Sequence, residues 1–191
     1  DVWHAHCVQL NKGEIDLFAR TNTGIAHCPC SNMRLASGIA PIREMLDAGV
    51  NIGLGVDGSA SNDSGHMLNE ARQAMLLQRV MKTGDALTAR QSLAIATRGG
   101  AAVLGRDDIG QLAPGYAADI AAFDCRGIDF AGAAWDLLAG LLFCGSTKTS
   151  YTIINGKIIV DQGHLVTMDM PKLLENHHAM TADLMRKAQW A

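Results

Sequence analysis

The sequence predicts an α/β protein with parallel strands, followed by a smaller lobe that consists mainly of short strands. In the first half, three apolar segments are each followed by an amphipathic helical segment, which is the order found in parallel sheets. In the second half, strand-like segments flank a tight turn at Asn155-Gly156. Three strand-helix units are too few for a closed barrel, and the chain has no glycine-rich phosphate loop typical of a doubly wound sheet. We therefore expect part of a barrel.

Composition narrows the classes of function. The 191 residues are 48% hydrophobic, carry a net charge of -3 with histidine neutral, and contain no basic run that could neutralise a phosphate backbone. We therefore expect no nucleic-acid polymer as a partner. No apolar stretch approaches the ~20 residues that span a bilayer, so no membrane partner is expected either. The five cysteines are scattered without a disulfide pattern, which indicates a reducing, cytoplasmic location.

The first two strand-helix units occupy the first 49 residues. A strand over 2–8 precedes a helix over 12–20, in which apolar residues recur at helical spacing. A second strand over 24–28 is followed by a polar loop over 31–38. A helix over 41–49 then begins at its proline and ends at its glycine. Because the chain starts directly in a core strand, we expect an N-terminal part of the protein to precede it.

The third unit consists of a strand over 50–57 and a long helix over 66–82. A capping-box pattern at Thr88 and Gln91 then begins another helix, which we expect to reach Leu104. In all three units, polar residues lie at or just beyond the carboxyl end of the strand. Parallel α/β folds build their functional sites at this edge.

The second half is predicted to contain short strands over 117–124, 151–155 and 157–161. The last two are joined tightly and are expected to form a hairpin. A helix is predicted over 135–143, and a closing helix over 172–187 carries its apolar residues along one stripe. The second half is therefore expected to be a small β lobe with added helices.

Histidines and an aspartate lie along the three predicted strands. His4 and His6 are two residues apart on a strand, so they are expected to share one face. His27 ends the second strand and Asp57 ends the third. Because the carboxyl ends of parallel strands meet at one rim, we expect these side chains to lie close together. Imidazoles and carboxylates are ligands and proton carriers typical of zinc or iron sites.

Simpler interpretations stay open at this point. A buried histidine is often a hydrogen-bonded core residue, and Asp57 can be a turn or helix-capping residue. Cys28 and Cys30 beside His27 suggest a structural zinc site, but no second ligand pair lies nearby. The glycines within 53–58 lack the Lys-Ser/Thr ending of a phosphate loop and fit a close turn instead.

Five longer motifs are distributed along nearly the whole chain. They are DVWHAHCV at 1–8, AHCPCSNMRLASGIAP at 26–41, GLGVDGSASND at 53–63, GQLAPG at 110–115 and INGK at 154–157. Together they resemble the amidohydrolase superfamily and, within it, the branch of purine and triazine deaminases. The resemblance implies the C-terminal part of a metal-dependent (β/α)8 barrel, strands six to eight, and part of a small β-sandwich domain.

By this resemblance, the barrel part covers 1–105, the β-sandwich part covers 106–170, and a C-terminal helix covers 171–191. His6 then matches the histidine that ends strand six, which contacts the hydrolytic water or the substrate and moves protons. Asp57 matches the aspartate of strand eight, which binds the metal and helps to deprotonate the water. Both residues are therefore expected to be catalytic, and Asp57 is also expected to be a metal ligand.

The resemblance also places a group of residues on the substrate side, namely Cys30, Asn32, Ser59 and Asn62. His27 is expected to have a supporting role and not to bind the metal. The His-x-His pair of strand one and the histidine with a nearby glutamate of strand five do not appear in the 191 residues. The chain is therefore either a fragment of a longer protein or unable to hold a catalytic metal.

The implied reaction is the hydrolytic deamination of an aminopurine-like heterocycle with release of ammonia, and 8-oxoguanine is the favoured substrate. The implied cofactor is one divalent metal ion, zinc before iron. The alternatives are a related amidohydrolase that acts on another purine, a pyrimidine or a triazine, and an inactive fragment. The expected partners are the small heterocycle, the N-terminal half of the same protein, and further copies in a homo-oligomer.

Overall fold

The computed structural model describes residues 2–145 and 148–189, which form two compact units. The second unit comprises Ala118–Phe123 and the chain from Lys148 onward, and the first comprises the other described residues. The first unit contains the parallel strands and the second contains an antiparallel sheet.

Three parallel strands form the centre of the first unit. They are β1 (Trp3–Ala5), β2 (Gly24–His27) and β3 (Ile52–Leu54), adjacent in that order. The helices of this unit are α1 (Lys12–Thr21), α2 (Pro29–Arg34), α3 (Ile42–Asp47), α4 (Met67–Met81), α5 (Ala89–Ala94), α6 (Gly100–Val103) and α7 (Leu137–Phe143). In the sheet, His4 pairs with Ile25 and Ala26 pairs with Gly53. The carboxyl ends of all three strands therefore lie at one edge.

Local sequence signals and the burial of apolar side chains explain why the helices and strands of the first unit form where they do. Helix α1 begins with a capping box, in which Asn11 and Glu14 each bind the other's backbone N–H through their side chains. Ile25, Met45 and Met75 are fully buried between the sheet and the helices. The predicted strands and long helices of this half are confirmed in position, although the strands are shorter than predicted.

The polar loop predicted over 31–38 is wrong in its first part, where the chain forms α2. Pro29 lies in the first turn, where its missing N–H breaks no helical hydrogen bond. The N–H of Asn32 donates to the carbonyl oxygen of Cys28 at 3.0 Å. Ser31 and Asn32 are both buried. A helix of 6 residues is too short to show an apolar period, so the sequence pattern could not reveal it.

The helix predicted over 88–104 is confirmed as three consecutive helical segments. Helix α5 begins with the predicted capping box, and a π-helical turn over Ile95–Gly99 connects it to α6. This helix lies directly against β3. A Cβ atom at Gly99 would collide with the carbonyl oxygen of Ile52, so only glycine permits this approach.

The described residues over 124–145 belong to the first unit. They form two 3-10 turns, at Ile128–Phe130 and Ala133–Trp135, and then α7, which confirms the helix predicted over 135–143. Phe130 and Leu142 are buried in this unit. The predicted domain boundaries stay a prediction, but in packing this segment belongs with the parallel strands and not with the β lobe.

The second unit is an antiparallel sheet followed by a helix. The elements are β4 (Ile120–Ala122), β5 (Tyr151–Ile154), β6 (Lys157–Asp161), β7 (His164–Leu165) and α8 (Met170–Lys187). The predicted hairpin is confirmed, and Asn155 and Gly156 have positive φ angles of 47° and 76°, as in a type I′ turn. Strand β7 has 2 residues and was not predicted, because so short a strand shows no alternation.

Helix α8 confirms the closing helix predicted over 172–187, while the last two residues of the predicted 171–191 segment lie outside the described residues. Its apolar stripe is exposed within the second unit, at Leu173, Leu174, Met180, Leu184 and Met185. Among the described residues, no helix combines the length and the hydropathy needed to span a bilayer.

The structure confirms a mixed α/β fold with a parallel sheet. The assignment of β1 to β3 as strands six to eight of a larger barrel stays a prediction at this point. The same holds for the assignment of the antiparallel sheet to part of a β-sandwich.

Candidate active site

His6 and Asp57 lie side by side at the edge formed by the carboxyl ends of the strands. His6 directly follows β1, and Asp57 comes shortly after β3. The Nε2 atom of His6 is 3.6 Å from Oδ2 of Asp57, and the two side chains are 38% and 32% exposed. The rim predicted from the sequence therefore brings together an imidazole and a carboxylate that a small molecule can reach.

Both residues have an uncommon backbone conformation. The φ angles of His6 and Asp57 are 66° and 62°, in the left-handed region that side chains disfavour. The N–H of Cys7 donates to the carbonyl oxygen of Ala5 at 2.8 Å, which closes a tight turn centred on His6. The N–H of His6 donates to the carbonyl oxygen of Ala26 at 3.0 Å and ties this turn to β2. Strained residues of this kind cluster at functional sites.

The carboxylate of Asp57 is held by two hydroxyl groups. Ser31 and Ser61 donate to its Oδ2 atom at 2.6 Å and 3.2 Å. The hydrogen bond from Ser31 lowers the pKa of Asp57, and so do those from the Gly58 backbone and Ser61 and the charge of His6. Asp57 is therefore ionised at neutral pH, as a metal ligand or a proton acceptor must be.

The imidazole of His6 is oriented by Asn32. Its Nδ1 atom is 2.9 Å from Oδ1 of Asn32, and an amide oxygen can only accept a hydrogen bond. Nδ1 therefore donates to Asn32, and Nε2 is the ring nitrogen that faces Asp57. The arrangement can pass a proton between the carboxylate, the imidazole and a molecule bound at the rim.

The other two predicted histidines lie in different surroundings. The ring of His4 packs against Phe18 of α1, with the ring centres 5.4 Å apart. The expected pair of His4 and His6 on one face is not found, because β1 ends at Ala5 and the chain then turns. His27 is completely buried, and both of its ring nitrogens lack a hydrogen-bond partner. The supporting role expected for His27 stays a prediction.

Burial of His27 predicts a dependence of stability on pH. Burial, followed by the charge of His6, lowers the pKa of His27 to about 3 from its ordinary 6.5. The unfolded chain therefore binds a proton below about pH 6.5 that the folded chain does not. The free energy of unfolding should fall by about 1.4 kcal/mol for each pH unit between these two values.

Urea unfolding of the full-length protein between pH 7 and pH 5 measures this slope. In His27→Gln, we expect the free energy of unfolding to fall less steeply with decreasing pH, because the contribution of His27 is lost. The control His164→Gln replaces an exposed histidine and should keep the steeper fall. NMR supplies an independent readout, since the ring signals of His27 should not shift between pH 7 and pH 5. A His27 signal that titrates near pH 6.5 would contradict the prediction.

The four residues predicted to line the substrate side differ in accessibility. Ser59 is exposed in the turn after Asp57. Asn32 and Asn62 are only 1% and 5% exposed, and they hydrogen-bond to His6 and Glu70 respectively. Their substrate contacts stay a prediction, which the structure favours more for Ser59 than for the buried asparagines.

The cysteines beside His27 have protonated thiols at neutral pH. Burial raises the pKa of Cys28 to about 11. Burial, together with a hydrogen bond to Glu70, raises the pKa of Cys30 to about 12. Because zinc binds the thiolate form, these shifts oppose metal binding by either cysteine. Cys30 is half-buried, and its predicted contact with substrate also stays a prediction.

The sequence pattern does not indicate the contact from Ser31 to Asp57, and Glu70 is not among the predicted site residues. Ser31 lies between Cys30 and Asn32, which were both expected on the substrate side, and its orientation toward Asp57 depends on α2. The sequence does contain a pattern that points to Glu70. This residue shares the buried stripe of α4 with Ala74 and Gln78, at intervals of four residues, and a charged residue on a buried stripe is unusual.

The described residues supply only part of a metal site. Within 2–145 and 148–189, no group of three His, Cys, Asp or Glu side chains is placed to hold a metal ion. Asp57 fits as one ligand, because it is an ionised and partly exposed carboxylate beside an imidazole. Further ligands would have to come from outside these residues.

Comparison with known proteins identifies the family. The sequence profile of the amidohydrolase family matches residues 1–159. The 8-oxoguanine deaminase of Pseudomonas aeruginosa is 45% identical over 182 residues, which cover 95% of this chain and 40% of that protein. The 5-methylthioadenosine/S-adenosylhomocysteine deaminase of Pelotomaculum thermopropionicum is 44% identical over 173 residues, which cover 89% of this chain and 40% of that protein.

A solved structure gives the same result. The atrazine chlorohydrolase of Arthrobacter aurescens TC1, complexed with zinc, superimposes with a TM-score of 0.88 at 40% identity. The match covers 93% of this chain and 40% of that one. The chain thus spans about two fifths of the length of the relatives that it matches. By its sequence profile, its curated relatives and its structure, the chain belongs to the amidohydrolase family.

Proposed function

We propose that this chain forms the part of a metal-dependent amidohydrolase that carries His6 and Asp57, and that the whole protein deaminates an aminopurine-like heterocycle. In this proposal, β1 to β3 are strands six to eight of a (β/α)8 barrel. The antiparallel sheet then belongs to a small β-sandwich domain. The observation that carries the proposal is the 3.6 Å approach of His6 Nε2 to Asp57 Oδ2 at the edge where parallel strands present their catalytic groups.

The two side chains have separate tasks in this reaction. Asp57, kept ionised by its hydrogen bond from Ser31, would be a ligand of the cation, and its carboxylate accepts a proton from the hydrolytic water. His6, whose Nδ1 atom donates to Asn32, receives this proton from Asp57 at Nε2 and delivers it toward the leaving amine. In its protonated form, His6 also stabilises negative charge that develops on the heterocycle.

We propose that the whole protein binds one divalent cation, zinc before iron. Asp57 is the ligand that this chain contributes, and the other ligands would come from the rest of the protein. The chemistry that such a cation supplies is Lewis acidity, which lowers the pKa of water from 15.7 to about 7.

The relatives suggest the substrate class. One is named for 8-oxoguanine and another for 5-methylthioadenosine and S-adenosylhomocysteine, and all three molecules contain a purine with an exocyclic amine. We propose 8-oxoguanine as the first substrate to test, with Ser59 and Cys30 among the side chains nearest to it. Other parts of the proposal are assembly into a homo-oligomer, a cytoplasmic location and no nucleic-acid polymer as partner.

Metal removal and a substrate panel test this function together. We expect the purified full-length protein to release ammonia from 8-oxoguanine, and 1,10-phenanthroline should reduce the rate at least about 100-fold because Lewis acidity is lost. Zinc added in excess of the chelator should restore the rate. Ammonia release that survives complete removal of the metal would overturn the metal-dependent reaction.

A second candidate function is the hydrolysis of a substituted triazine. It is favoured by the structural match to an atrazine chlorohydrolase at 40% identity. The panel therefore includes atrazine, with chloride release as the readout, next to 8-oxoguanine and 5-methylthioadenosine. A kcat/KM for atrazine above those for both purines would replace deamination by triazine hydrolysis as the function of the same His6 and Asp57 pair.

A further inference from the structure

A carboxylate without solvent contact lies behind the candidate active site. Glu70, on α4, has no exposed surface. Its Oε2 atom accepts a hydrogen bond from the backbone N–H of Cys30 at 3.1 Å, and its Oε1 atom accepts one from Nδ2 of Asn62 at 2.6 Å. These donors are neutral groups. Since a polar side chain loses its hydration on burial, a completely buried glutamate calls for an explanation.

The two donors belong to the two segments that follow β2 and β3. Cys30 lies in the first turn of α2, and Asn62 lies in the loop between β3 and α4. Asn62 also donates from Nδ2 to the carbonyl oxygen of Val56 at 2.7 Å, and its N–H donates to the carbonyl oxygen of Gly58 at 3.0 Å. Glu70 therefore fastens the start of α2 to the chain on both sides of Asp57.

The same two segments meet at Asp57 itself. Ser31, the neighbour of Cys30, has no exposed surface and donates to Oδ2 of Asp57 at 2.6 Å. The length and direction of this hydrogen bond depend on where α2 lies relative to the turn that carries Asp57. Glu70 bridges these two segments through its hydrogen bonds with Cys30 and Asn62.

We propose that Glu70 is a positioning residue of the site: by holding Cys30 and Asn62, it fixes the hydrogen bond from Ser31 to Asp57 and thereby the orientation of the Asp57 carboxylate toward His6. Groups that orient a reactive carboxylate from behind commonly change activity 10–100-fold when they are altered. The activity part of this inference rests on the proposed function, whereas the structural part does not.

Glutamate is required here because both of its oxygens must accept. In Glu70→Gln the side chain keeps its shape, but its NH2 group faces a donor, either the N–H of Cys30 or the NH2 of Asn62. One of the two hydrogen bonds is then replaced by two donors pointing at each other. The exchange of a single heavy atom therefore removes one of the two hydrogen bonds by which Glu70 connects α2 to the turn of Asp57.

A double-mutant cycle in the full-length protein tests whether Glu70 acts through Ser31. We expect Glu70→Gln and Ser31→Ala each to lower kcat on the preferred heterocycle about 10–100-fold, with KM changed less than about 3-fold. The double variant should be no more than about 3-fold below the slower single variant, because both changes remove the same hydrogen bond. Losses in kcat that multiply in the double variant would overturn the proposal.

Gln78 offers a matched control on the same helix. It also has no exposed surface, and it binds the carbonyl oxygen of Ala40 and the N–H of Arg43, away from the site. Gln78→Glu makes the opposite exchange of one heavy atom. Gln78→Glu should lower the melting temperature but leave kcat per folded molecule unchanged. If Glu70 had a purely structural role, Glu70→Gln would likewise lower the melting temperature and leave kcat per folded molecule unchanged.

Hydrogen exchange on the metal-free protein supplies a readout that does not need activity. In Glu70→Gln, we expect faster amide exchange in peptides that cover 28–34 and 56–62, with no such change in Gln78→Glu. Unchanged exchange in both peptides would overturn the positioning role, whatever the activity. If the protein releases no ammonia or chloride from any substrate of the panel, the proposed function fails, and hydrogen exchange alone decides the role of Glu70.

Discussion

Replacement of Asp57 by Asn in the full-length protein should reduce turnover by about 1,000-fold or more and should lower the content of bound divalent metal. The amide has the same shape as the carboxylate and can still accept from Ser31, so the fold should hold. It is a much weaker ligand and cannot take up a proton, and general base catalysis alone contributes about 100–10,000-fold.

Elemental analysis and ammonia release measure the two effects, and thermal unfolding checks the fold. Asp63→Asn is the matched control, because Asp63 lies in the same loop and forms an exposed ion pair with Arg34. The control should keep its metal and stay within about 2-fold of the native rate, as exposed ion pairs contribute little. Native turnover in Asp57→Asn would remove this residue from the mechanism.

Gly99→Ala should destabilise the fold by more than about 3 kcal/mol or prevent the accumulation of folded protein. The added Cβ would lie far inside the van der Waals contact distance to the Ile52 carbonyl oxygen, a backbone atom of β3 that cannot rotate away. Relief would require the helix to move off the sheet, and β3 leads to Asp57. Catalytic activity should therefore fall along with stability.

The adjacent glycine provides the control. A Cβ at Gly100 would meet nothing within 4 Å, and its φ angle of -59° is helical. Gly100→Ala should therefore leave stability unchanged or raise it by up to about 1 kcal/mol, as expected from helix propensity. Thermal and urea unfolding of both variants measure the difference. Equal stabilities for the two variants would show that the helix does not need its close approach to β3.

Local signals in the sequence were sufficient for most elements of the fold. The capping boxes of α1 and α5 and the turn at Asn155-Gly156 formed as their residue types require. Elements without a local signal were missed. Helix α2 and strand β7 are too short for a period to appear, and their backbone is held by tertiary hydrogen bonds and packing.

The candidate site was predictable in its location but not in its contacts. The order of strands and helices placed His6 and Asp57 at one rim, since parallel strands end at the same edge. The expected partnership with His4 failed because the chain turns at His6, and a positive φ angle cannot be read from a histidine in the sequence. The contact from Ser31 and the buried Glu70 depend on how α2 and α4 pack.

The sequence by itself determined the parallel α/β order, the family and the two side chains at the rim, because these depend on apolar periodicity and on motifs that are local in the chain. Only the tertiary structure decided which oxygen of Asp57 is held, which nitrogen of His6 carries the proton, and why a glutamate is buried in α4. These features join residues that are 26 to 40 positions apart, and their geometry exists only after the helices have packed on the sheet.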